Sequence, residues 1–365
     1  MWRPGPSLPD FPWDTIADAA ARARSHPGGV CDLSVGTPVD PVPAVGQQAL
    51  AAAADSPGYP QVWGTPELRQ AIIAYLTNRW QAAPLTEAGV LPVIGTKEFV
   101  AWLPTLLGIG PGDTVVIPAV AYPTYAVGAL LAGARVVPAA DPSDVVALRP
   151  ALVWTNSPGN PTGAVDSLEA TRAWVEYARA RGAVLAADEC YGEFGWTAEP
   201  VSVLDPAANG GDLDGLVACY SLSKRSNLAG YRAGFAAGDP ELVTGLLGLR
   251  KHLGMMVSSP VQAAMIALLG DQAHVEVQRA RYAARRATLA AALEQTGCRI
   301  DRSEAGLYLW ASRGEPGRAT VDWLADRGIL AAPGDFYGPT GANHVRIALT
   351  ATDERIAAAA ARLTA

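Results

Sequence analysis

At 365 residues the chain is long enough for a large domain and a smaller one, and 50% hydrophobic with 17% charged residues is the balance of a well-buried soluble enzyme. A formal net charge of −7 argues against a nucleic-acid partner, and it means that any anionic substrate must be received by locally placed arginines. No apolar run approaches a membrane span and Met1 to Asp14 lack a signal-peptide pattern; Cys31, Cys190, Cys219 and Cys298 show no CxxC spacing, and His26, His252, His274 and His344 are scattered, so a reducing cytoplasmic setting without a metal site is expected.

Taken in chain order, Leu33-Ser34-Val35-Gly36-Thr37-Pro38 reads as a short apolar stretch running into a turn, and Val93-Ile94 followed by Gly95-Thr96-Lys97 as a strand-to-helix turn. Thr114–Ile117 and Ala134–Val137 are predicted strands, with Gly110–Asp113 as a loop ahead of the first. Ala151–Trp154 is an apolar strand that runs into Thr155-Asn156-Ser157-Pro158-Gly159-Asn160-Pro161-Thr162-Gly163, a turn in which Pro and Gly impose fixed or positive φ values. A helix is predicted from Ser167 to Arg181. The continuous apolar run from Ala183 predicts a buried parallel strand that ends in Asp188 and Tyr191, and ligands of open α/β sheets bind at such carboxyl ends. Val261–Glu294 predicts one long Ala-rich helix with few breakers, and His344–Leu349 an alternating strand carrying Arg346. Strands alternating with helices imply a mostly parallel sheet flanked by helices.

The chemistry concentrates in Ser221-Leu222-Ser223-Lys224-Arg225-Ser226-Asn227, with Arg232 eight positions after the lysine. An amine bracketed by hydroxyls and followed by an arginine can bond the aldehyde of pyridoxal 5'-phosphate (PLP) while Ser221, Ser223 and Arg232 receive its phosphate. Asp188 supplies the second half of such a site, an acid able to keep a proton on the pyridine nitrogen, and Tyr191 is placed to hydrogen-bond the 3-oxygen of the ring.

Asn160-Pro161-Thr162-Gly163, the Asp188-x-x-Tyr191 element and Ser221-x-Ser223-Lys224 with Arg232, in that order, resemble the class I/II aminotransferases of PLP fold type I. The resemblance covers essentially the whole chain. It implies an α/β fold with a large PLP domain built on a mostly parallel central sheet (36–258) and a smaller α+β domain formed by residues 1–35, as an N-terminal arm and first piece, and 259–365. It further implies that Asn160 bonds the 3-oxygen and helps to seat the substrate carboxylate, that Gly95, Thr96 and Lys97 form the phosphate-binding turn, and that Tyr122 stacks on the pyridine ring. Arg346 would take the α-carboxylate in a bidentate fork, Gly36 would allow close approach of substrate, and Tyr59 would reach the phosphate of the neighbouring subunit in a homodimer. The implied reaction is a two-half transamination of small amino and keto acids in which Lys224 moves the proton.

Leu8–Asp14, Asp32–Pro41 and Ser221–Asn227 resemble, more narrowly, the N-succinyldiaminopimelate aminotransferases of bacterial lysine and cell-wall synthesis. That implies N-succinyl-LL-2,6-diaminopimelate with 2-oxoglutarate as the substrate pair. Another glutamate-coupled aminotransferase, acting on aspartate, an aromatic acid or acetylornithine, and a PLP β-lyase remain as alternatives. A distal succinyl carboxylate calls for a second cation, for which Arg24, Arg225, Lys97 and Lys251 are the candidates.

Overall fold

A computed structural model describes residues 8–365; the first seven residues of the expected N-terminal arm lie outside the described residues. A two-residue strand, β1 (Cys31–Asp32), precedes the strands of the main sheet: β2 (Val90–Val93), β3 (Thr114–Pro118), β4 (Arg135–Ala139), β5 (Leu152–Asn156), β6 (Val184–Asp188), β7 (Leu216–Ser221) and β8 (Gly234–Gly238). These seven lie in the order β2-β8-β7-β6-β5-β3-β4. Every pairing from β7 to β4 is parallel, whereas β8 runs antiparallel to both β7 and β2. The sheet is therefore mostly parallel, as expected, with one reversed strand.

Alternation along the central strands explains why they read as continuous apolar runs. Val153, Leu185, Ala187, Ala218 and Tyr220 join one hydrophobic cluster, and Leu152, Trp154, Ala186, Val217 and Cys219 join another on the opposite face. The helix Leu168–Arg181 covers the first face through Trp174, Val175 and Ala178. Its start is set by Ser167, whose hydroxyl accepts from the Ala170 N–H, and its end by Gly182 at φ 64. The helix Thr96–Leu106 covers the other face through Phe99, Val100 and Leu103.

A third cluster joins the two ends of the chain. Ile16, Cys31 and Leu33 pack with Tyr282, Leu289, Leu309, Ile347, Ile356 and Leu363. Around it lie β9 (Arg299–Asp301), β10 (Tyr308–Ser312), β11 (Ile329–Leu330), β12 (Ala332–Pro333) and β13 (Val345–Ala348). β11 pairs in parallel with β1, while β12-β13-β10-β9 form an antiparallel sheet.

Two expectations change. Val261–Glu294 is not one helix but two, Ser259–Leu269 and Ala273–Gln295. The break falls at Gly270-Asp271, where the Asp271 carboxylate accepts from the Ala273 N–H (3.0 Å) and bonds the His274 ring (3.1 Å), starting a new helix instead of continuing the old one. The strand expected to alternate at His344–Leu349 is β13, in which all four residues are buried because it is a central strand with both faces covered.

Asp40, just past the Leu33–Pro38 stretch, ties that stretch to the long helix Ala273–Gln295. Both of its oxygens accept from Arg285 (2.8 and 2.7 Å) and one also from Gln278 (2.8 Å), while Arg285 bonds Asp353 (2.6 Å). Burial alone would raise the Asp40 carboxyl; the Arg285 and Gln278 hydrogen bonds reverse this and hold it below its usual value. Asp40→Ala strands a guanidinium that is 3% exposed, and the denaturant midpoint should fall by an amount equivalent to roughly 2–4 kcal/mol.

Candidate active site

The carboxyl ends of β2, β5, β6 and β7 open onto a cavity of about 460 Å³ whose far wall comes from the segment Val35–Thr37 and from β10 and β13. Parallel register puts Asn156 and Asp188, the last residues of β5 and β6, side by side, with Cys219 of β7 next to Asp188. Asp188 is 9% exposed. Its oxygens accept from the Tyr125 hydroxyl (2.8 Å) and the Cys190 N–H (3.2 Å). Burial raises its carboxyl above the ordinary range, against the pull of those two hydrogen bonds. An acid in so apolar a seat, at the cavity floor, is suited to a cationic N–H donor.

Lys224 stands on the short helix Leu222–Arg225 that begins where β7 ends, and its Nζ donates to the Gly36 carbonyl across the cavity. Desolvation and then the Arg346 charge push the amine down to about 8, with Cys190 acting the other way and Arg232 adding a smaller push downward. A substantial fraction is thus neutral and nucleophilic near physiological pH.

Arg346 closes the other side. β10 and β13 are antiparallel, with Tyr308 opposite Ala348 and Trp310 opposite Arg346; Tyr308 and Arg346 are therefore diagonal neighbours on one face, and the guanidinium carbon lies 4.2 Å from the centre of the Tyr308 ring. Arg346 Nη1 donates to Asn160 Oδ1 (2.9 Å), Nη2 to the Ser34 carbonyl (2.6 Å), and Nε is buried without a partner. The group is 2% exposed and forms no salt bridge among the described residues. A cation so placed calls for an anionic ligand.

Asn160 and Tyr191 link the two sides. The Asn156 side chain fixes this loop, donating to the Pro158 and Asp188 carbonyls and accepting from the Asn160 N–H (2.8 Å). Asn160 Nδ2 then reaches the Tyr191 hydroxyl (3.5 Å), which in turn bonds the Tyr308 hydroxyl (3.0 Å).

A family model described as aminotransferase class I and II matches residues 29–363. The chain belongs to the class I and II aminotransferases. This aminotransferase is 61% identical over 358 residues to a protein named probable aminotransferase Rv1178 of Mycobacterium tuberculosis, covering 98% of this chain and 86% of that one. It is 57% identical over 357 residues to the 4-dedimethylamino-4-oxo-anhydrotetracycline transaminase OxyQ of Streptomyces rimosus, covering 98% and 99%. Its structure is similar, with a TM-score of 0.87 and 29% identity over 97% of this chain and 99% of the other, to a probable N-succinyldiaminopimelate aminotransferase from Thermus thermophilus.

Class I and II aminotransferases use PLP, and the donor set of this aminotransferase fits that group: a depressed lysine amine, a buried acid facing the same cavity, and hydroxyls for a phosphate. Ser221 and Ser223 line the cavity at the end of β7, and Thr96 and Lys97 line it at the start of the helix Thr96–Leu106. Gly95 does not itself line it but sits at φ 86, and a Cβ there would collide with the Arg232 guanidinium; glycine is what lets Arg232 approach that helix start. Tyr122 lines the cavity between Lys97, whose Nζ lies 5.8 Å from its ring centre, and Tyr125. Gly36 is required because a Cβ would strike the Tyr308 hydroxyl. Tyr59 lies outside this cavity and is 97% exposed.

Among the lining residues to which the sequence assigns no role are Trp13, Tyr125, Asn156, Cys190 and Tyr308. Asn156 stands in the Thr155–Gly163 turn, Cys190 in the Asp188-x-x-Tyr191 element, Trp13 in the Leu8–Asp14 run and Tyr125 three positions after Tyr122, so the signal was present. Tyr308 belongs to no motif and reaches the cavity through tertiary packing. Of the cations considered for a distal carboxylate, Arg225 is occupied by Glu193 and the Leu268 carbonyl, Arg24 and Lys251 do not line the cavity, and Lys97 does.

Because the folded-state value of Lys224, about 8, lies below the ordinary 10.5, the unfolded chain binds more protons between those limits, and the stability of the cofactor-free protein should rise with pH across that window. Lys224→Met should remove that rise in denaturation midpoints. Capture of added PLP by the cofactor-free protein, followed by absorbance, should likewise accelerate as pH passes about 8, and Arg346→Gln should move the midpoint upward by removing a repelling charge.

Proposed function

We propose that this aminotransferase moves the amino group of N-succinyl-LL-2,6-diaminopimelate to 2-oxoglutarate, giving N-succinyl-2-amino-6-oxopimelate and L-glutamate. The observation that carries the reading is the pair of cations lining the cavity: Arg346, buried and without an acid, and Lys97, exposed and forming no salt bridge among the described residues. A substrate with an α-carboxylate and a remote second carboxylate meets both. The likeness to the Thermus thermophilus protein and the matching runs Leu8–Asp14, Asp32–Pro41 and Ser221–Asn227 support the same choice.

Bound PLP supplies the electron sink for a substrate Cα that has lost its proton. Lys224 Nζ takes that Cα proton and delivers it, its depressed basicity keeping the amine free to do so. Asp188 holds the proton on the pyridine nitrogen, Asn160 and Tyr191 bond the 3-oxygen, and Tyr122 covers the ring face. Thr96, Ser221, Ser223 and Arg232 receive the phosphate at a helix N-terminus. Arg346 orients the α-carboxylate through a two-point fork.

Residues 1–35 join 259–365 in the smaller domain, and 36–258 form the large one; the shared cluster of Ile16, Cys31 and Leu33 with the C-terminal strands supports this division. Helix Ser259–Leu269, counted with the smaller domain, packs against the helices Ala44–Ala52 and Pro66–Trp80 of the large one and shares a hydrophobic cluster with it through Val261, Ala264 and Met265. A homodimer in which Tyr59 reaches the neighbouring phosphate accounts for an aromatic side chain left 97% exposed. No helix among the described residues is long and apolar enough to cross a membrane, and the four cysteines are unpaired, in keeping with a cytoplasmic enzyme.

The identity to OxyQ favours a second reading, transamination of a keto group on an anhydrotetracycline-like polycycle. Mixing holoenzyme with N-succinyl-LL-diaminopimelate, and separately with L-glutamate, should convert the cofactor absorbance to the aminated form in both cuvettes. Conversion by glutamate alone discards the diaminopimelate substrate and brings the polycyclic ketone forward. Lys97→Ala should raise the KM of the succinylated substrate roughly 10–100-fold through loss of a charged hydrogen bond while leaving L-alanine turnover nearly unchanged, and Lys224→Ala should abolish turnover without unfolding the chain.

A further inference from the structure

We propose that Tyr308 is a positioning residue for both halves of the site: its hydroxyl sets the Tyr191 phenol and its ring seats the Arg346 guanidinium. The proposal rests on the roles assigned above to Tyr191 and Arg346 and extends them to a side chain that no motif singles out.

Tyr308 is 3% exposed and held from three directions. Its hydroxyl lies 3.0 Å from the Tyr191 hydroxyl, the two rings meet edge to face at 5.6 Å, and Arg346 stacks over it at 4.2 Å. The absence of a side chain at Gly36 makes room for the hydroxyl end, and the Gly36 carbonyl accepts from Lys224 Nζ. The Tyr308 side chain therefore meets Tyr191 and Arg346 directly and Lys224 through Gly36.

The direction of the hydroxyl pair follows from counting protons. Asn160 Nδ2 can only donate, and it points at the Tyr191 oxygen from 3.5 Å. Tyr191 has a single proton, which its assigned role directs toward the 3-oxygen of the cofactor. Tyr308 must then donate to Tyr191, so that two donors converge on one phenol oxygen. A phenol that accepts hydrogen bonds gives up its own proton more readily, so Tyr191 becomes a stronger donor to an anionic 3-oxygen. The titratable and charged groups that face Tyr191 are Tyr308 from β10, Arg346 from β13 and Cys190 from its own segment; those that face Lys224 are Arg346, Arg232 and Cys190. Replacing Tyr308 by Phe alters one of these contacts and leaves every charge in place.

The ring has a separate task. Arg346 uses Nη1 and Nη2 on Asn160 and Ser34 and keeps Nε unpaired, and of the two rings beside it Tyr308, at 4.2 Å, lies nearer than Tyr337, at 5.2 Å, and gives it its main stacking face. An aliphatic side chain at 308 would fill part of the volume without an aromatic face to hold the guanidinium.

The test uses the holoenzymes of Tyr308→Phe, Tyr308→Leu and, as reference, Tyr191→Phe, checked for PLP content and circular dichroism. The first readout is the pH midpoint of the cofactor absorbance change without substrate, and the second is KM for L-glutamate. In Tyr308→Phe the midpoint should rise by about half a unit, less than in Tyr191→Phe, because one neutral hydrogen bond is removed at second hand; KM should stay at the wild-type value. In Tyr308→Leu the midpoint should rise equally and KM should increase roughly 3–30-fold. An unmoved midpoint in Tyr308→Phe beside a raised one in Tyr191→Phe overturns the hydroxyl role, and an unchanged KM in Tyr308→Leu overturns the ring role. If Tyr191→Phe itself leaves the midpoint in place, the role given to Tyr191 fails and takes the hydroxyl role with it, while the KM comparison still decides the ring.

Discussion

A guanidinium sealed in the protein without an opposing acid is the constraint around which this aminotransferase is arranged. Removing a cation from water is costly unless hydrogen bonds and a counter-charge replace its hydration. The fold supplies Arg346 with Asn160, the Ser34 carbonyl and two aromatic faces, Tyr308 and Tyr337, and leaves the counter-charge out. In the proposed reaction a substrate carboxylate takes the place of the missing acid. The same charge acts on Lys224, where it adds to desolvation in keeping the amine poorly protonated, so that the group that binds the substrate also prepares the base that attacks it. A bound carboxylate neutralises Arg346, and the amine then becomes more basic at the moment it must accept a proton.

Such an arrangement needs pieces from distant parts of the chain. Ser34 and Gly36 come from the segment after β1, Asn160, Asp188 and Lys224 from the ends of β5 to β7, and Tyr308 and Arg346 from the C-terminal sheet. The parallel sheet provides a row of strand ends in register, which fixes Asn156 against Asp188 to within a hydrogen bond. The antiparallel sheet provides a pair of diagonal neighbours that carry charge and ring on one face. Neither sheet holds a complete site by itself. Asp40 and Arg285 matter here because they anchor the Val35–Thr37 wall to the helix beneath the C-terminal sheet.

What could be read from residues alone divides along the same line. Lys224 among hydroxyls, Asp188 at the end of an apolar run and the Asn160 turn are local: each needs its sequence neighbours to work, so the pattern survives in one dimension. The central strands were legible for a similar reason, since burial on both faces leaves an unbroken apolar run. The break at Gly270-Asp271 was missed because high helix propensity on both sides masks a cap that acts over only three residues. β13 was misread as alternating because Arg346, which looks polar in sequence, is buried. Tyr308 left no trace, because what makes it part of the site is a neighbour hundreds of positions away, Gly36.

The chain as a whole carries a charge of −7, and the proposed substrate, with its several carboxylates, would approach it against that field. The cavity answers locally with Lys97 at its opening, Arg232 beside the helix start and Arg346 at its depth, three cations lining one space. Bulk repulsion falls off within a Debye length at cellular ionic strength, on the order of 8 Å, so a ligand that reaches the opening is already governed by these three. Their unequal burial gives them different work. Lys97 and Arg232, near solvent, can hold a charge that arrives hydrated, whereas Arg346 rewards only a carboxylate that has shed its water. A ligand bearing several negative charges is thereby oriented as it enters, with the α-carboxylate favoured at the deep end because there the interaction is least screened.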